Sequence, residues 1–415
     1  MKRPTILIVG AGVSGLLLAQ YLRKTGVPFQ IFERDGDLAS RGLGWGLTLH
    51  WSLPALRSLL PEHLLLRLPE AYVDRAAVEE GRASTFPFFD LTTGELKAST
   101  PTAPESQRIR VNRAGFRCLL ATGLDIQADG SVTVHFDDGS SYDGSLVVAC
   151  DGGSSRIRGA LFPDLPKYQI PVRLMGVKME CTPEEIEPLR QLDPYFLQGA
   201  ASENDSFAYF SVLDAPGNTP QGNNGRYTCQ AVVSWPVRDG FFNQTSTIAF
   251  PDTNEGCIEL IKKFAGTWAE PFRSLVQSIP ADTEVKCLEL SDWPPPRGLR
   301  TTGHVALVGD AFHPMAMYRG EGANHAIVDV LDFVELVMPQ LLAEDKDKSA
   351  PAVDLRAALD QYEDRVVART RPAVLASRQA CIDAHQWGRI SEKSPLLSRR
   401  LMNLVFAESD MSITS

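Results

Sequence analysis

Gly10, Gly12 and Gly15 follow the apolar run Ile6–Val9, and an acid, Glu33, closes the next apolar segment. Those residue types at that spacing could hold a dinucleotide. Gly10 permits a tight turn out of a strand. Gly12 lets main chain approach a pyrophosphate with no Cβ in the way. Gly15 and Ala19 let a helix pack close to the strand, so that the N–H groups at its start, around Val13 and Ser14, face the phosphates. Glu33, with Arg34 beside it, stands where an acidic side chain hydrogen-bonds ribose hydroxyls. An acid there suits an unphosphorylated ribose, so FAD or NAD(H) fits better than NADP(H). A lone glycine motif is weak evidence. Here strand, glycines, helix, second strand and terminal acid occur in order, which outweighs an accidental Gly-rich turn.

Other stretches carry groups of the same kind. Ser40–Gly46 is a glycine-rich loop; Gly46 is a candidate cofactor contact, and Arg41 either meets a cofactor phosphate or is a solvated loop residue. Asn112 is the expected N-cap of a helix that begins at Arg113. The apolar run Leu146–Ala149 leads into Asp151-Gly152-Gly-Ser-Ser155-Arg-Ile-Arg158. A third buried run, His304–Val308, meets Gly309-Asp310, and Gly320-Glu-Gly322-Ala323-Asn324 then opens a helix through about Leu341. Gly10 to Gly15, Asp151-Gly152 and Gly309-Asp310 share one grammar, a buried strand entering a glycine turn with an acid nearby.

This set resembles the single-component, FAD-dependent aromatic hydroxylases (group A flavoprotein monooxygenases), most nearly the salicylate-hydroxylase-like and fungal secondary-metabolism members. The motifs span residues 5 to 330 and are specific together, although not singly. The resemblance implies that Asp310 binds the FAD ribityl chain, where a carboxylate accepts strong hydrogen bonds from hydroxyls. It places Gly320, Gly322, Ala323 and Asn324 at a helix start beside the isoalloxazine ring, whose reduced form the helix dipole favours. It gives Asp151 and Gly152 a part in handling both FAD and NAD(P)H, and it takes Arg113 to the FAD pyrophosphate. Arg158 either touches nicotinamide nucleotide or forms an internal ion pair. His313 reads as a packed imidazole rather than a proton donor, and no catalytic residue is assigned. Two departures stand out: Met317 replaces the family's usual proline, and the connection Ala121–Ile126 is short. The latter is read either as loss of a strand beside the adenine or as an imperfect gene model.

The implied reaction reduces FAD with NAD(P)H, adds O₂ to give a flavin C4a-hydroperoxide, and hydroxylates or epoxidises an aromatic or other electron-rich small molecule. The cofactor carries that chemistry, while the protein positions substrate and excludes water. Tyr209, Tyr227 and Trp235 are possible lining residues, with core packing the better reading of each. Alternatives are an FAD-dependent oxidase or dehydrogenase on the same fold, and a cofactor-poor biosynthetic scaffold.

Positioning these groups requires an α/β fold: a Rossmann-like FAD-binding domain, an inserted β-rich substrate domain and a C-terminal helical region. The expected division is 1–164 and 293–342 for the FAD-binding domain, 165–292 for the β-rich domain and 343–415 for the helical region. Strands are expected at Val172–Met179, Ser206–Leu213, Arg226–Trp235 and Glu284–Leu290, and helices at 182–192, 254–278 and through 353–406. The 415 residues suffice for two or three domains, with 44% hydrophobic and 22% charged residues, as in ordinary globular proteins. A formal charge of −10 with no basic block argues against nucleic acid. Seven scattered cysteines without a CxxC pair argue against a bound metal and suit reduced thiols. No run of about 18 apolar residues spans a membrane. A cytoplasmic monomer or homodimer is expected, with a small molecule and O₂ as its partners.

Overall fold

The computed structural model describes residues 5–36, 44–127, 144–218, 224–342 and 355–411. Ile6–Val9, apolar at every position and wholly buried, is the central strand of a five-stranded parallel sheet. A parallel strand covered on both faces favours an uninterrupted apolar run over alternation. Phe29–Phe32 and Leu146–Ala149 flank it, and Val305–Leu307 extends the sheet beyond the latter. The short connection does not abolish the edge strand: Ile126–Gln127 pairs with Ile31 and Phe32. Arg41 lies outside the described residues, as does Ser131–Phe136, whose sequence also reads as a strand.

A second sheet has seven strands, in the order Val285–Asp292, Tyr168–Cys181, Tyr227–Pro236, Phe207–Asp214, Phe196–Ala200, Phe88–Asp90 and Leu96–Ala98. Four of them match the expected segments. Phe196–Ala200 was not expected, and it carries a glycine, Gly199. That glycine is required by packing, since a Cβ there would lie 2.6 Å from Phe89 O. Along Tyr227–Pro236, Cys229, Ala231, Val233 and Trp235 enter an apolar core with Ile258, Ile261 and Phe272. Gln230, Val232 and Ser234 alternate onto the other face. The helix expected over 254–278 is two, Asn254–Phe264 and Phe272–Gln277, separated by a stretch containing Gly266 and Pro271.

The C-terminal helix runs from Leu355 to Asp383 and is buried along most of its length. Its charges are spent internally: Arg369 pairs with Asp329 and Asp332, and Arg378 with Asp292. Beyond Asp383 the chain is irregular, with one-turn 3₁₀ segments rather than the helix expected to 406. No helix among the described residues is long and apolar enough to cross a membrane.

Between this helix and the second sheet, Tyr318 Oη donates to Ser234 Oγ at 2.8 Å, and Ser234 Oγ lies 2.9 Å from His385 Nε2. His385 Nδ1 lies 2.7 Å from the Cys381 carbonyl. A carbonyl only accepts, so Nδ1 carries the proton and Nε2 accepts from Ser234. Burial pushes the imidazole down to about 4. The unfolded chain, with a histidine near 6.5, therefore binds the extra proton, and stability falls as pH drops from about 6.5 toward 4. His385→Gln is expected to make that fall shallower, as read from urea midpoints at pH 7 and 5; an unchanged pH slope would contradict it.

Candidate cofactor-binding site

The three glycine turns converge. Gly10 has φ +104°, and a Cβ there would lie 2.4 Å from Cys150 O, at the end of the strand that precedes Asp151. Gly309, at φ +64°, packs against Ser14, whose Oγ would stand 2.9 Å from a Cβ. Gly15 touches the turn so closely that a Cβ would come 2.0 Å from Gly10 O. Gly12 differs: its nearest neighbour would be Cys150 O at 3.9 Å. The helix Val13–Thr25 starts with no side-chain cap and no acid in its first turn, which leaves its positive end to an anion. Stripped of flavin, Gly12→Ala is accordingly expected to unfold at the temperature of stripped wild type yet to bind flavin weakly, whereas stripped Gly15→Ala loses several degrees. Thermal melts of the stripped proteins and flavin fluorescence titrations separate the two; equal melting losses would refute the distinction.

Glu33 ends the second strand, as expected, with both carboxylate oxygens engaged. Oε2 accepts from Ala11 N at 3.0 Å and lies 3.5 Å from Arg117 Nη2, while Oε1 accepts from Asp35 N at 3.1 Å. Arg117, buried, also donates to Ala11 O at 3.0 Å. Sequence reasoning gave Arg117 no role, although its position one helical turn after Arg113 puts both on one face. Arg34 is 77% exposed and lies 3.9 Å from Asp35. Asn112 caps the helix Arg113–Ala121, accepting from Ala114 N and Gly115 N. The Arg113 guanidinium reaches Gly44, with Nη1 3.6 Å from where a Cβ would be. Gly46 pairs with Asn112, and the Arg110 guanidinium packs against it, with Nη2 2.4 Å from where a Cβ would be.

Asp151 Oδ2 accepts from Arg156 N at 2.9 Å at the start of a helix capped by Ser155. Its Oδ1 is buried without a hydrogen-bond partner. Gly152 follows at φ +80°. Arg158 forms no ion pair among the described residues. It donates to the carbonyls of Asp310 (3.1 Å), Ala311 (2.8 Å) and Gly153 (2.7 Å), stapling the second glycine turn to the third. The Asp310 carboxylate is solvent-accessible. The protein around it pushes its carboxyl up, against the pull of His313, Arg113 and Arg158. Hydroxyl donors would relieve that cost.

Gly320 turns at φ +64°, and a Cβ on Gly322 would lie 3.7 Å from Asp310 Oδ1. The helix Gly322–Leu336 again has no side-chain cap, and Ala323 is half-buried in its first turn. The Asn324 side chain turns away into the protein: Oδ1 accepts from His50 N and Ser52 Oγ, and Nδ2 donates to Thr48 O. It clamps the helix to the strand Gly46–Leu49. Two uncapped helix starts, an open glycine, an unpartnered carboxylate oxygen and an accessible acid among arginines together fit a flavin dinucleotide. Tyr209 meets Arg110, whereas Trp235 and Tyr227 belong to the covered face of the second sheet.

The family described as NAD(P)-binding Rossmann-like domain matches residues 8–47. A protein of Arthroderma benhamiae named "Probable FAD-dependent monooxygenase" is 44% identical over 420 residues, 96% of this chain and 95% of the relative. A FAD-dependent monooxygenase of Aspergillus terreus is 33% identical over 365 residues, 81% of this chain and 90% of its own. The solved 2,6-dihydroxypyridine-3-hydroxylase from Arthrobacter nicotinovorans shares the fold, with a TM-score of 0.71 at 19% identity over 100% of this chain and 99% of that one. Relatives matched over nearly their whole length and a site that fits the flavin agree: the chain belongs to the FAD-dependent monooxygenase family.

Proposed function

We propose that this enzyme uses NAD(P)H and O₂ to hydroxylate or epoxidise an aromatic or other electron-rich small molecule in secondary metabolism, by the flavin–oxygen route set out above. The observation that carries the reading is the accessible Asp310 carboxylate facing the uncapped start of the Gly322 helix. Bound FAD would supply hydride acceptance and oxygen activation. The residues assigned to hold it are Gly10, Gly12, Val13, Ser14, Gly15, Glu33, Arg34 and Gly46 in the first segment. Arg113, Asp151, Gly152, Asp310, Gly320, Gly322, Ala323 and Asn324 complete the set. Glu33 acts by ordering Ala11 N–H and Arg117 as well as by facing the ribose, and Asn324 acts through main chain. Segments 1–164 and 293–342 form the cofactor unit, 165–292 covers the substrate, and 343–415 braces both.

Purified protein is expected to show a flavin absorbance spectrum at near one FAD per chain. A substrate should then stimulate NAD(P)H oxidation, with one atom of ¹⁸O₂ entering the product. Substrate oxidation without NAD(P)H consumption would indicate an oxidase, and a colourless protein that FAD cannot reconstitute would indicate a scaffold.

A further inference from the structure

Beside the strand Ile109–Asn112 lies a cavity of about 280 Å³. An engineered protein cavity of about 150 Å³ takes up benzene, so this one has room for a fused two-ring aromatic. Phe86 and Phe196 supply apolar walls, and Arg82, Arg108 and Arg110 supply charge. The one acid in the lining, Glu105, accepts from Tyr72 Oη.

None of the three guanidiniums pairs with a carboxylate among the described residues. Arg110 donates through Nη1 to Thr48 Oγ1 (2.7 Å) and through Nη2 to Tyr209 Oη (2.5 Å) and Ser211 Oγ (3.0 Å), all neutral hydroxyls. Its Nε is buried without a partner, and its guanidinium lies 4.8 Å from the Phe196 ring centre. Arg108 donates only to the carbonyls of Ser84 and Pro101, over Phe86. Arg82 donates to Arg190 O. Elsewhere in the chain, buried arginines such as Arg190, Arg369 and Arg378 each have a carboxylate. Arg108 feels the charge of Asp193, whereas Arg110 meets only hydroxyls, and a half-buried cation without a counter-ion is costly unless an anion is supplied. In a chain whose net charge is −10, a basic cavity also concentrates anions locally. The cavity adjoins the cofactor cleft through Thr48, whose carbonyl accepts from Asn324 at the start of the Gly322 helix.

We propose that this cavity binds the acidic end, carboxylate or phenolate, of an aromatic substrate, and that Arg110 is the specificity-determining residue. The assignment rests on the monooxygenase reading for the word substrate, but not for binding itself. Arg110's guanidinium takes the oxyanion, Arg108 adds charge at the rim, and the rings pack on Phe86 and Phe196.

The test is calorimetric titration of the FAD-loaded enzyme with 2-naphthoate and its neutral isostere 2-naphthamide. Wild type is expected to bind naphthoate at least about tenfold more tightly, the scale of one charged hydrogen bond. Arg110→Met should abolish the preference with naphthamide affinity unchanged, and Arg110→Lys should restore part of it. Should Arg110→Met not fold, Arg108→Gln, expected to halve the preference or more, gives the same reading. Equal binding of the two probes by wild type, binding of neither, or a preference untouched by the substitutions overturns the proposal. Naphthoate-selective binding by a protein that holds no FAD would support the cavity and defeat the monooxygenase reading. NAD(P)H-dependent oxygenation of substrates without any charge preference would do the reverse.

Discussion

Asp310→Asn should release the flavin without loosening the fold. The carboxylate lies at the meeting of the glycine turns, accessible to solvent, with Gly322 against it and Arg158 holding its own carbonyl in place. Hydrogen bonds to a charged group contribute about 1.5–3 kcal/mol each, so losing the charge from two ribityl contacts should raise the FAD dissociation constant on the order of 100-fold. The sign of the stability effect is opposite. Desolvation by the protein lining the cleft raises the Asp310 carboxyl, so its ionised form opposes folding, and that cost is relieved as pH falls through the raised value. The neutral asparagine removes it, and the variant should melt at or above the temperature of wild type stripped of its flavin. Wild-type FAD affinity should also weaken as pH falls through the raised Asp310 pKa, a dependence absent from the variant. Fluorescence titration of stripped protein with FAD over a descending pH series reads both effects. Unaltered affinity in Asp310→Asn would remove Asp310 from the cofactor site.

The glycine turns were legible because main-chain geometry constrains residue type directly. A positive φ at Gly10, Gly152, Gly309 and Gly320, or a carbonyl 2.0 Å from a Cβ at Gly15, leaves few alternatives, and local order reveals it. What side chains do after folding was much less legible. Arg158 reads as a ligand contact or an ion pair, yet it holds three carbonyls that lie up to 153 positions away. Asn324 reads as a flavin contact by position, but its amide is consumed by Thr48, His50 and Ser52, 272 to 276 residues distant. The C-terminal helix reads only as helical and charged, and the fold shows that Arg369 and Arg378 meet acids on other elements. Gly199, a residue unfavourable to a strand, is demanded in the unexpected strand Phe196–Ala200 by close packing against Phe89. Periodicity sees one element at a time, and these features depend on two.

Asp329→Ala should be the most destabilising single change outside the glycine turns. Asp329 is fully buried, and both oxygens are occupied: Oδ2 accepts from Gly309 N (2.8 Å) and His313 Nε2 (2.6 Å), and Oδ1 from Arg369 Nη2 (2.7 Å). Burial alone would raise its carboxyl, yet His313 and Arg369 hold it well below the usual carboxylate range. Arg369 also reaches Asp332 (2.8 Å) and His325 Nδ1 (3.1 Å), which must accept because a guanidinium only donates. Burial and the Arg369 charge accordingly keep His325 neutral. Removing one partner from such a buried set leaves uncompensated charge and costs about 3–5 kcal/mol. Arg369→Met should cost a similar amount, and the double variant much less than the sum, because neither charge is then stranded. Since the carboxyl is depressed, this stabilisation is complete above the unfolded value near 3.9 and is lost only as pH falls through the folded one. Urea unfolding of the single and double variants at pH 7 measures the coupling, and additive losses would mean that the network is not a unit. Because Gly309 N–H depends on Asp329, the same carboxylate that anchors the C-terminal helix shapes the turn presenting Asp310. A folded Asp329→Asn variant should therefore bind FAD more weakly with every proposed flavin contact still in its sequence.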